Sequence, residues 1–472
     1  MRLRRVLKAA GWLAGIAALL AGIFFGGIKL MLAYFYPDPP AANYPKPRTA
    51  LEAQRQDLDY FKKLLALDFS FSPGARTQAN GAIDRLERSP DVLTHAQFRV
   101  QAMRIMALAD NGHTTTSVAS GDPLELPVRV AEFSDGLYVT HATEAHKALL
   151  GGRVTAIDGQ PIDAVMRRLE AIRGGAPQFR RYYAGFMITV QDILNGLGIA
   201  PAKDRSVWTV EKSDGTRVTQ MLVAYRAPKD APFAFPERWY SSEPLKGLGK
   251  NWTALGPVNG LPVSLKEFDN PYRLFWIPGT CTAVIQLKSN TDEGKRKIGD
   301  FLARTQAEFR RRKPCDIIFD NRFNGGGDYT KTYSFAHSLI GDVPPPGRIY
   351  VLTSAATFSA GITTTTFIKQ SGGDRVGILG EEVGDRLAFF AEGRRACLPN
   401  YHLCLYYQRG KHDYQHPCRD PRVCYWLNWY YAPRVKTLDP DRTITMSFAD
   451  WYAGRDPVFD RAVALARRNA KP

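Results

Sequence analysis

The sequence lacks the motifs that mark the commonest metal and nucleotide sites. Its six cysteines include no Cys-x-x-Cys pair, the spacing that zinc sites usually contain. No Gly-Lys-Ser or Gly-Lys-Thr follows the glycine run at 325–327, so this run is not a phosphate-binding loop. Thr357 stands where the nucleophile elbow of α/β-hydrolases has its first glycine, which excludes that elbow around Ser359. We therefore expect neither a metal ion nor a cofactor.

Acidic residues are missing from the N-terminus, where none precedes Asp38. Four Arg or Lys residues lie in the first eight positions, and an apolar run follows at 9–28, long enough to span a bilayer as a helix. A cleaved signal peptide is the alternative, but it would have an apolar core of about 7–15 residues and a small-residue cleavage site. Here apolar residues continue through 30–36 and no clear site follows.

The basic flank gives this anchor an orientation, because positive charge favours the cytoplasmic side. We predict a cytoplasmic tail at 1–8 and an uncleaved single-pass transmembrane anchor at 9–35. The rest of the chain would lie on the periplasmic or extracellular side of an inner or cell membrane. Pairs of glycines spaced four apart in the anchor could pack two copies together, which leaves a homo-oligomer open.

The charge balance is strongly basic, at +17 from 63 Lys and Arg against 46 Asp and Glu. In a cytoplasmic protein this excess would suggest nucleic acid as a partner. The predicted topology places the chain across the membrane from nucleic acid, and the arginines are scattered along the sequence. We expect a solvated basic surface close to anionic lipid, with no nucleic-acid partner.

The cysteines fit an oxidising compartment. Four of them fall between Cys397 and Cys424 among several histidines. Zinc is one reading, but two disulfides that staple an irregular insertion at 394–425 fit the spacing better. Cys281 and Cys315 stand at the starts of two predicted strands. They form a bridge if those strands are neighbours and are otherwise buried thiols.

Changes of composition divide the chain into segments of a multidomain α/β protein. Five prolines within 37–47 predict a stiff spacer that lifts the body off the membrane. Helical spacing of apolar residues then gives way to short alternating strands, a stretch of weak periodicity and a region where strands alternate with helices. The predicted segments are a linker at 36–50, a helical domain at 51–120, a β-rich module at 121–225, a connector at 226–270 and an α/β core at 271–472.

The α/β core has a clear order of elements. Strands at 283–287, 316–319 and 349–352 alternate with helices at 291–312, capped by Thr291, and at 329–339. This alternation predicts right-handed crossovers and a largely parallel sheet. The loops at the carboxyl ends of such strands gather on one edge, where these sheets place their sites.

Ser359 lies where a strand and a short loop run into a helix predicted at 362–369. The positive end of a helix dipole favours a developing oxyanion, so Ser359 is a candidate nucleophile, although a serine there could equally cap the helix. The glycines at 325–327, directly after a buried strand, are candidate oxyanion donors or simply a turn. His113, in a polar Gly-His-Thr loop between two domains, is a candidate base, with a structural role as the alternative.

Five short motifs occur in an order that resembles the C-terminal-processing and tricorn-type serine peptidases, the tail-specific protease family. They are Asp-Asn-Gly-His-Thr at 110–114, the Asp-Gly turn at 152–159, Asp-Asn-Arg-Phe-Asn-Gly-Gly-Gly at 320–327, Ala-Thr-Phe-Ser-Ala-Gly at 356–361 and a closing signature at 438–457. The resemblance implies a crotonase-like catalytic core (ClpP/crotonase type) and a PDZ-like peptide-binding module at 121–225. It also implies Ser359 as nucleophile, with the N–H groups of Ala360 and of a loop glycine, Gly326, as the oxyanion hole.

The family has two kinds of base, and the sequence favours one of them. In the processing branch a lysine lies about 25 residues after the serine, where this chain has Asp385 and Arg386. Arginine stays protonated and cannot act as a base, and Lys369 is too far along the helix to serve. The resemblance is therefore to the tricorn-like branch, with a base at His113.

The acid that should orient His113 is not evident, because basic residues occupy the stretch where the family has its glutamate. Asp110 is taken as the candidate, with Asp420 and Glu382 as others. We expect a membrane-anchored serine endopeptidase that cleaves polypeptides through an acyl-enzyme. A non-catalytic peptide- or lipid-binding protein that retains the fold is the main alternative, and an esterase using the same residues is a third.

Overall fold

The computed structural model describes residues 2–117, 120, 122–228 and 234–469, and four helices come first along the chain. Three of them begin after a side chain that caps the first turn, since Thr49, Ser72 and Thr94 each accept a backbone N–H three residues on. Within the described residues one helix is long and apolar enough to cross a membrane, at Gly15–Phe35 with mean hydropathy 2.1. The helices are α1 (Arg2–Phe35), α2 (Ala50–Leu67), α3 (Pro73–Arg88) and α4 (His95–Ala107).

The linker after α1 lies against the body of the protein. Phe35 is fully buried, with its ring 5.5 Å from that of Tyr425. The carbonyl oxygens of Pro37 and Pro40 accept hydrogen bonds from tyrosine hydroxyls of the body. The linker therefore lies along the protein surface instead of extending freely from it, because its backbone carbonyls find partners there.

A β-rich part follows the helices, with strands β1 (Thr115–Thr116), β2 (Leu124–Glu125), β3 (Val128–Phe133), β4 (Gly136–Thr143), β5 (Arg153–Ile157), β6 (Gln160–Pro161), β7 (Arg205–Glu211), β8 (Arg217–Val223), β9 (Tyr225–Arg226) and β10 (Trp252–Ala254). Between β6 and β7 lie α5 (Ile162–Glu170), α6 (Pro177–Met187) and α7 (Gln191–Gly196). One sheet has the order β10-β4-β5-β7-β8, with β3 on β4 and β6 on β5. Asp158 and Gly159 have φ of 45° and 75°, as in a type I′ turn, so the predicted strand–turn–strand unit is confirmed.

The core sheet is largely parallel, as predicted. Its order is β11 (Tyr272–Trp276), β12 (Thr282–Leu287), β13 (Asp316–Asp320), β14 (Ile349–Thr353), β15 (Val376–Gly380) and β18 (Arg442–Thr443), with only β11 antiparallel to its neighbour. The disulfide between Cys281 and Cys315 joins the starts of β12 and β13. Between β12 and β15 lie α8 (Ile298–Arg312), α9 (Tyr333–Ser338) and α10 (Ala360–Gly372).

One predicted helix start was wrong. Thr291 does not cap α8, which begins at Ile298 after Lys297. The carboxylate of Asp292 instead accepts the backbone N–H of Ile298 at 3.1 Å. Asp and Ser side chains can stabilise turns in this way, so 291–297 stays outside the helix.

The chain ends with a hairpin and short elements: β16 (Ala388–Cys397), β17 (Cys404–Asp413), α11 (Leu427–Tyr431), β18 (Arg442–Thr443), α12 (Phe448–Tyr452) and α13 (Pro457–Asn469). The predicted irregular insertion is wrong in its first half, where β16 and β17 pair in a regular antiparallel ladder. The two disulfides predicted there are confirmed as Cys397–Cys404 and Cys418–Cys424. β17 also pairs with β1, and apolar residues of the hairpin complete the core of the helical part.

Candidate active site

Ser359 sits in a strained turn between β14 and α10. Its φ of 53° and ψ of −124° lie outside the regions that residues with a Cβ prefer. Such conformations cost about 1–3 kcal/mol and cluster at functional sites. The turn is held by Thr357, whose hydroxyl donates to the carbonyl of Asn321 at 2.9 Å and accepts the N–H of Ser354 at 3.0 Å. The side chain of Ser359 is thus presented at the start of a helix, partly exposed.

The glycine loop approaches this serine closely. Gly326 has φ of +114°, and a Cβ on it would lie 2.7 Å from the Cβ of Ser359 and 3.2 Å from the N of Ala360. A Cβ on Gly361 would clash with the carbonyl oxygen of Asn324. Both positions need glycine, because there the backbones of the loop and the helix are in contact.

Three buried asparagines fix the loop against α10, and sequence reasoning missed them. Asn290, Asn321 and Asn324 are fully buried. The amide of Asn324 donates to the side-chain oxygens of Asn290 and Asn321 at 2.7 and 2.8 Å. Asn321 in turn donates to the carbonyl of Gly361 at 2.8 Å. Buried amides hydrogen-bonded in this way hold a single arrangement, so the relative position of loop and serine is well defined.

The two predicted oxyanion donors differ in their hydrogen bonds. The N–H of Ala360 is the first of α10 and forms no hydrogen bond within the described residues, as expected at a helix start. The N–H of Gly326 donates to the side-chain oxygen of Asn324 at 3.0 Å. To bind an oxyanion, Gly326 would therefore have to share or exchange that bond.

His113 is enclosed by aromatic rings. It stacks on Phe358, at 4.3 Å between ring centroids, and on Phe389 at 5.3 Å. Both ring nitrogens are buried and form no hydrogen bond with the described residues, Ser359 included. Burial, assisted by the neighbouring His412 and Arg173, lowers the pKa of His113 to about 3, so its imidazole is neutral at neutral pH.

Asp385 is the carboxylate that faces His113. One of its oxygens lies 3.9 Å from Nδ1 of His113 and has no hydrogen-bond partner among the described residues, and its side chain is 1% exposed. Burial raises the pKa of Asp385 to about 7. A Cβ on Gly112 would lie 2.8 Å from this oxygen, so the glycine of the Gly-His-Thr loop makes room for the carboxylate. The distance exceeds a hydrogen bond, but catalytic hydrogen bonds are often long without substrate.

Asp110 and Lys369, the acid and the alternative base considered from the sequence, have other partners in the structure. Asp110 is 59% exposed and forms an ion pair with Arg386 at 2.8 Å. Lys369 donates to the carbonyls of Gly373 and Val376 at the far end of α10. Sequence reasoning noted Asp385 only as a replacement for the family's lysine. Its position in that stretch was the one signal that could have pointed to it.

The histidine belongs to a longer column of stacked rings. Phe179 of α6 stacks on Phe358 with centroids 4.2 Å apart, and Phe389 stacks on His412 at 4.9 Å. Nε2 of His412 lies 3.2 Å from the carboxylate of Glu392, which also accepts the hydroxyl of Tyr36 at the end of α1. The column thus passes from the β-rich part through the candidate site to the residues beside the N-terminal helix.

No group of three or more His, Cys, Asp or Glu side chains that could hold a metal ion occurs among the described residues. Within the described part, the polar groups brought together with Ser359 are those of acyl transfer, a serine, a neutral imidazole, a carboxylate and backbone N–H groups. His113 stacks on Phe358, the residue before Ser359, but makes no hydrogen bond to the serine, so the geometry of the described residues shows an unpaired N–H of Ala360 beside the serine and no contact for proton transfer.

No family model and no curated protein sequence matches the chain, but solved structures do. Mature CPAF in complex with lactacystin has a TM-score of 0.59 at 13% identity, over 89% of this chain and 99% of that one. Photosystem II D1 C-terminal processing protease matches with a TM-score of 0.38 at 11% identity, over 83% and 93% of the two chains. Tricorn protease matches with a TM-score of 0.35 at 13% identity, over 91% and 38%.

The solved structures that match include peptidases of the kind that the motifs resemble. At these identities the likeness to mature CPAF is one of fold, and it extends over nearly the whole of both chains. The chain therefore has the mixed α/β multidomain fold of mature CPAF, and its described part contains one apolar helix, near the N-terminus, that is long enough to span a membrane.

Proposed function

We propose that the protein is a membrane-anchored serine endopeptidase of the tail-specific protease family, with Ser359 as nucleophile and His113 as general base. The single observation that carries this proposal is the strained turn at Ser359, pressed against Gly326 at the start of α10. Residues in such conformations cluster at functional sites because surrounding structure must compensate for their strain. Fold likeness to mature CPAF is consistent with the proposal.

In this mechanism His113 takes the proton of the Ser359 hydroxyl through Nε2, because Nδ1 faces Asp385. The serine oxygen bonds to the carbon of the scissile amide, and the N–H groups of Ala360 and Gly326 bind the oxyanion. His113 then protonates the leaving amine as the C–N bond breaks. Water, activated by the same histidine, hydrolyses the acyl-enzyme and releases the second product.

Asp385 is proposed as the residue that orients His113, in place of Asp110. Its free oxygen and Nδ1 are two buried polar atoms without other partners, 3.9 Å apart. Leaving both unpaired is unfavourable, so a small rotation of the ring would bring them into a hydrogen bond. A bound substrate that moves the imidazole of His113 toward both Ser359 and Asp385 would complete a hydrogen-bonded catalytic triad.

The remaining domain assignments stay proposals as well. The β-rich sheet with its three helices suits a PDZ-like module at 121–225 that adds a peptide strand, and the parallel sheet suits a crotonase-like core. The connector at 226–270, the helical part at 51–120 and the linker at 36–50 would hold these together. The three disulfides favour an oxidising compartment, which supports a periplasmic or extracellular location beyond an anchor at 9–35.

Labelling by a fluorophosphonate probe tests the proposal directly, on the full-length chain in detergent. Wild type should be labelled, whereas Ser359→Ala should not and His113→Ala should react far more slowly. Lys369→Ala serves as the control and should label like wild type. Competition by lactacystin, which the CPAF structure contains, would give a second readout of the same serine.

The alternative is a non-catalytic peptide- or lipid-binding protein that retains the fold. The observation that favours it is the absence of a hydrogen bond from His113 to any described residue, Ser359 included. Folded wild-type protein that takes up no probe under any condition would support this alternative and reject the peptidase.

A further inference from the structure

A cavity of about 350 Å³ lies between the β-rich part and the core sheet, a volume in the range of small-ligand pockets. Its floor is made where three parallel strands end, by Arg322 after β13, Thr353 of β14 and Glu381 after β15. Its walls come from β3, α6 and the 3-10 helix Pro236–Tyr240. The cavity therefore opens at the carboxyl edge of the sheet, the edge from which α10 and Ser359 also begin.

The cavity is close enough to Ser359 to receive part of the same substrate. Ala356 lines it, and Ser359 follows three residues later in the chain. Since consecutive Cα atoms are about 3.8 Å apart, these two Cα atoms are separated by at most about 11 Å. An extended peptide advances about 3.3 Å per residue. A side chain within about three residues of the scissile bond could thus enter the cavity.

The cations that line the cavity are already neutralised by carboxylates. Arg322 donates to both Asp320 and Asp456, at 2.8 to 2.9 Å. Arg181 pairs with Glu132 and with Glu170. Neither guanidinium is therefore free to bind an anionic ligand.

Two further carboxylates in the lining have no cationic partner within the described residues. Glu237 is buried and accepts only the hydroxyl of Tyr182 among side-chain donors. Glu381 accepts no hydrogen bond through its carboxylate from the described residues. Burial and the nearby Glu132 raise the pKa of Glu381, and the guanidinium that acts to lower this pKa, that of Arg322, is already paired with Asp320 and Asp456. Apolar and aromatic side chains, among them Phe133 and Tyr240, form much of the remaining wall.

We propose that this cavity binds a lysine or arginine side chain of the substrate, with Glu381 as the carboxylate that pairs with its charge. A long basic side chain suits the cavity because its methylene stem packs on apolar walls while its charged end reaches a carboxylate. Aromatic walls add cation–π attraction. This assignment rests on the proposed peptidase function and names the substrate class of the same site.

Cleavage of a random peptide library by the full-length protein tests the assignment, with cut sites read by mass spectrometry. Lysine and arginine should be enriched at one position within about three residues of the cut. The best sequence is then compared with the same peptide carrying norleucine at that position. Glu381→Gln should lower kcat/KM for the basic peptide at least tenfold and leave the norleucine peptide within about twofold. Glu308→Gln, which removes a carboxylate on the surface of α8, is the matched control and should change neither.

A binding experiment separates this assignment from the peptidase proposal. Immobilised Ser359→Ala protein should retain basic peptides from the library, and the double variant with Glu381→Gln should lose that enrichment. Glu381-dependent retention without any Ser359-dependent cleavage would uphold the basic-residue pocket and reject the peptidase. Cleavage without basic preference, or a Glu381→Gln effect equal on both peptides, would overturn the pocket and leave the peptidase standing.

Discussion

At the scale of single residues, the candidate site consists of groups held in unfavourable states by their neighbours. Ser359 has a backbone conformation that residues with a Cβ avoid. His113 and Asp385 are buried with polar atoms that lack partners among the described residues. A protein tolerates backbone strain and unpaired buried atoms where favourable packing nearby compensates for their free-energy cost. Here the asparagine network and the stacked rings provide that packing. These residues are therefore expected to affect activity and stability in opposite directions.

Substitution of Gly326 should slow the reaction of Ser359 with the probe strongly without unfolding the protein. In Gly326→Ala the new methyl group would lie 2.7 Å from the Cβ of Ser359, at a φ of +114°, so the serine or the loop must move. We expect fluorophosphonate labelling to slow on the order of 10²–10³-fold, as when an oxyanion donor is lost. Gly325→Ala is the matched control, because a Cβ there meets nothing within 4 Å. Equal labelling of both variants would mean that the loop is not part of the site.

Asp385→Asn should lower activity while changing the pH dependence of stability. Burial raises the pKa of Asp385 to about 7, so between pH ~4 and ~7 the folded protein holds a proton that the unfolded chain has released. The free energy of unfolding contributed by this group falls as pH rises through that window. Asparagine cannot ionise, so the free energy of unfolding of the variant should rise relative to that of wild type, by on the order of a few kcal/mol, as the pH increases through that window. Peptide hydrolysis by the variant should be slower by up to about 10⁴-fold.

Urea unfolding of both proteins at several pH values measures this difference. His113, with its pKa lowered to about 3, contributes the opposite slope, but it is present in both proteins and largely cancels in the comparison. A stability difference that stays constant from pH 4 to pH 8 would show that Asp385 is ionised throughout. Unchanged hydrolysis in the variant would remove Asp385 from the mechanism.

At the scale of elements, the β16–β17 hairpin holds the candidate base in place. It pairs with β1, which begins two residues after His113, and it supplies Phe389 to the ring column. Its tip completes the apolar core of the helical part. The hairpin therefore connects the His113 loop, the helical part and the candidate active site, which are far apart in the sequence. The last turn of α1 packs against Tyr425, which follows the hairpin.

The end of α1 should accordingly contribute to stability, in contrast to its middle. Phe35→Ala removes a fully buried ring and should cost about 3–5 kcal/mol. Leu30→Ala is the matched control, because Leu30 is 73% exposed on the same helix. Thermal unfolding of the full-length chain in detergent measures both. Equal melting temperatures for the two variants would show that α1 does not pack on the body as described.

At the scale of the whole molecule, the N-terminal helix is both an apolar span and part of the core. A chain beginning at Lys29 keeps Phe35 and Tyr36, whereas one beginning at Ala41 loses both. We expect both to be soluble and the longer one to unfold at the higher temperature, because Tyr36 also bonds to Glu392. Thermal unfolding with probe labelling at each temperature checks this. A shorter chain that is as stable and as reactive would mean that the contacts of α1 are dispensable.

Much of the fold could be predicted because it depends on local pattern. Strands β12 to β14 are short apolar runs, and their positions follow from composition and spacing alone. Ser359 was placed at a helix start and the glycine loop after a buried strand, both from neighbouring residues. The start of α8 was misjudged because a carboxylate at Asp292, rather than Thr291, sets it.

The sequence by itself determined the apolar span, the order of strands and helices in the core and the residues offered for chemistry, because each depends on residues close together in the chain. Only the tertiary structure decided which of them meet. Asp385 faces His113 across 272 positions, and the linker after α1 lies on the body instead of extending from it. Such contacts follow from packing of distant surfaces and the need to satisfy buried polar groups, and no local spacing encodes them.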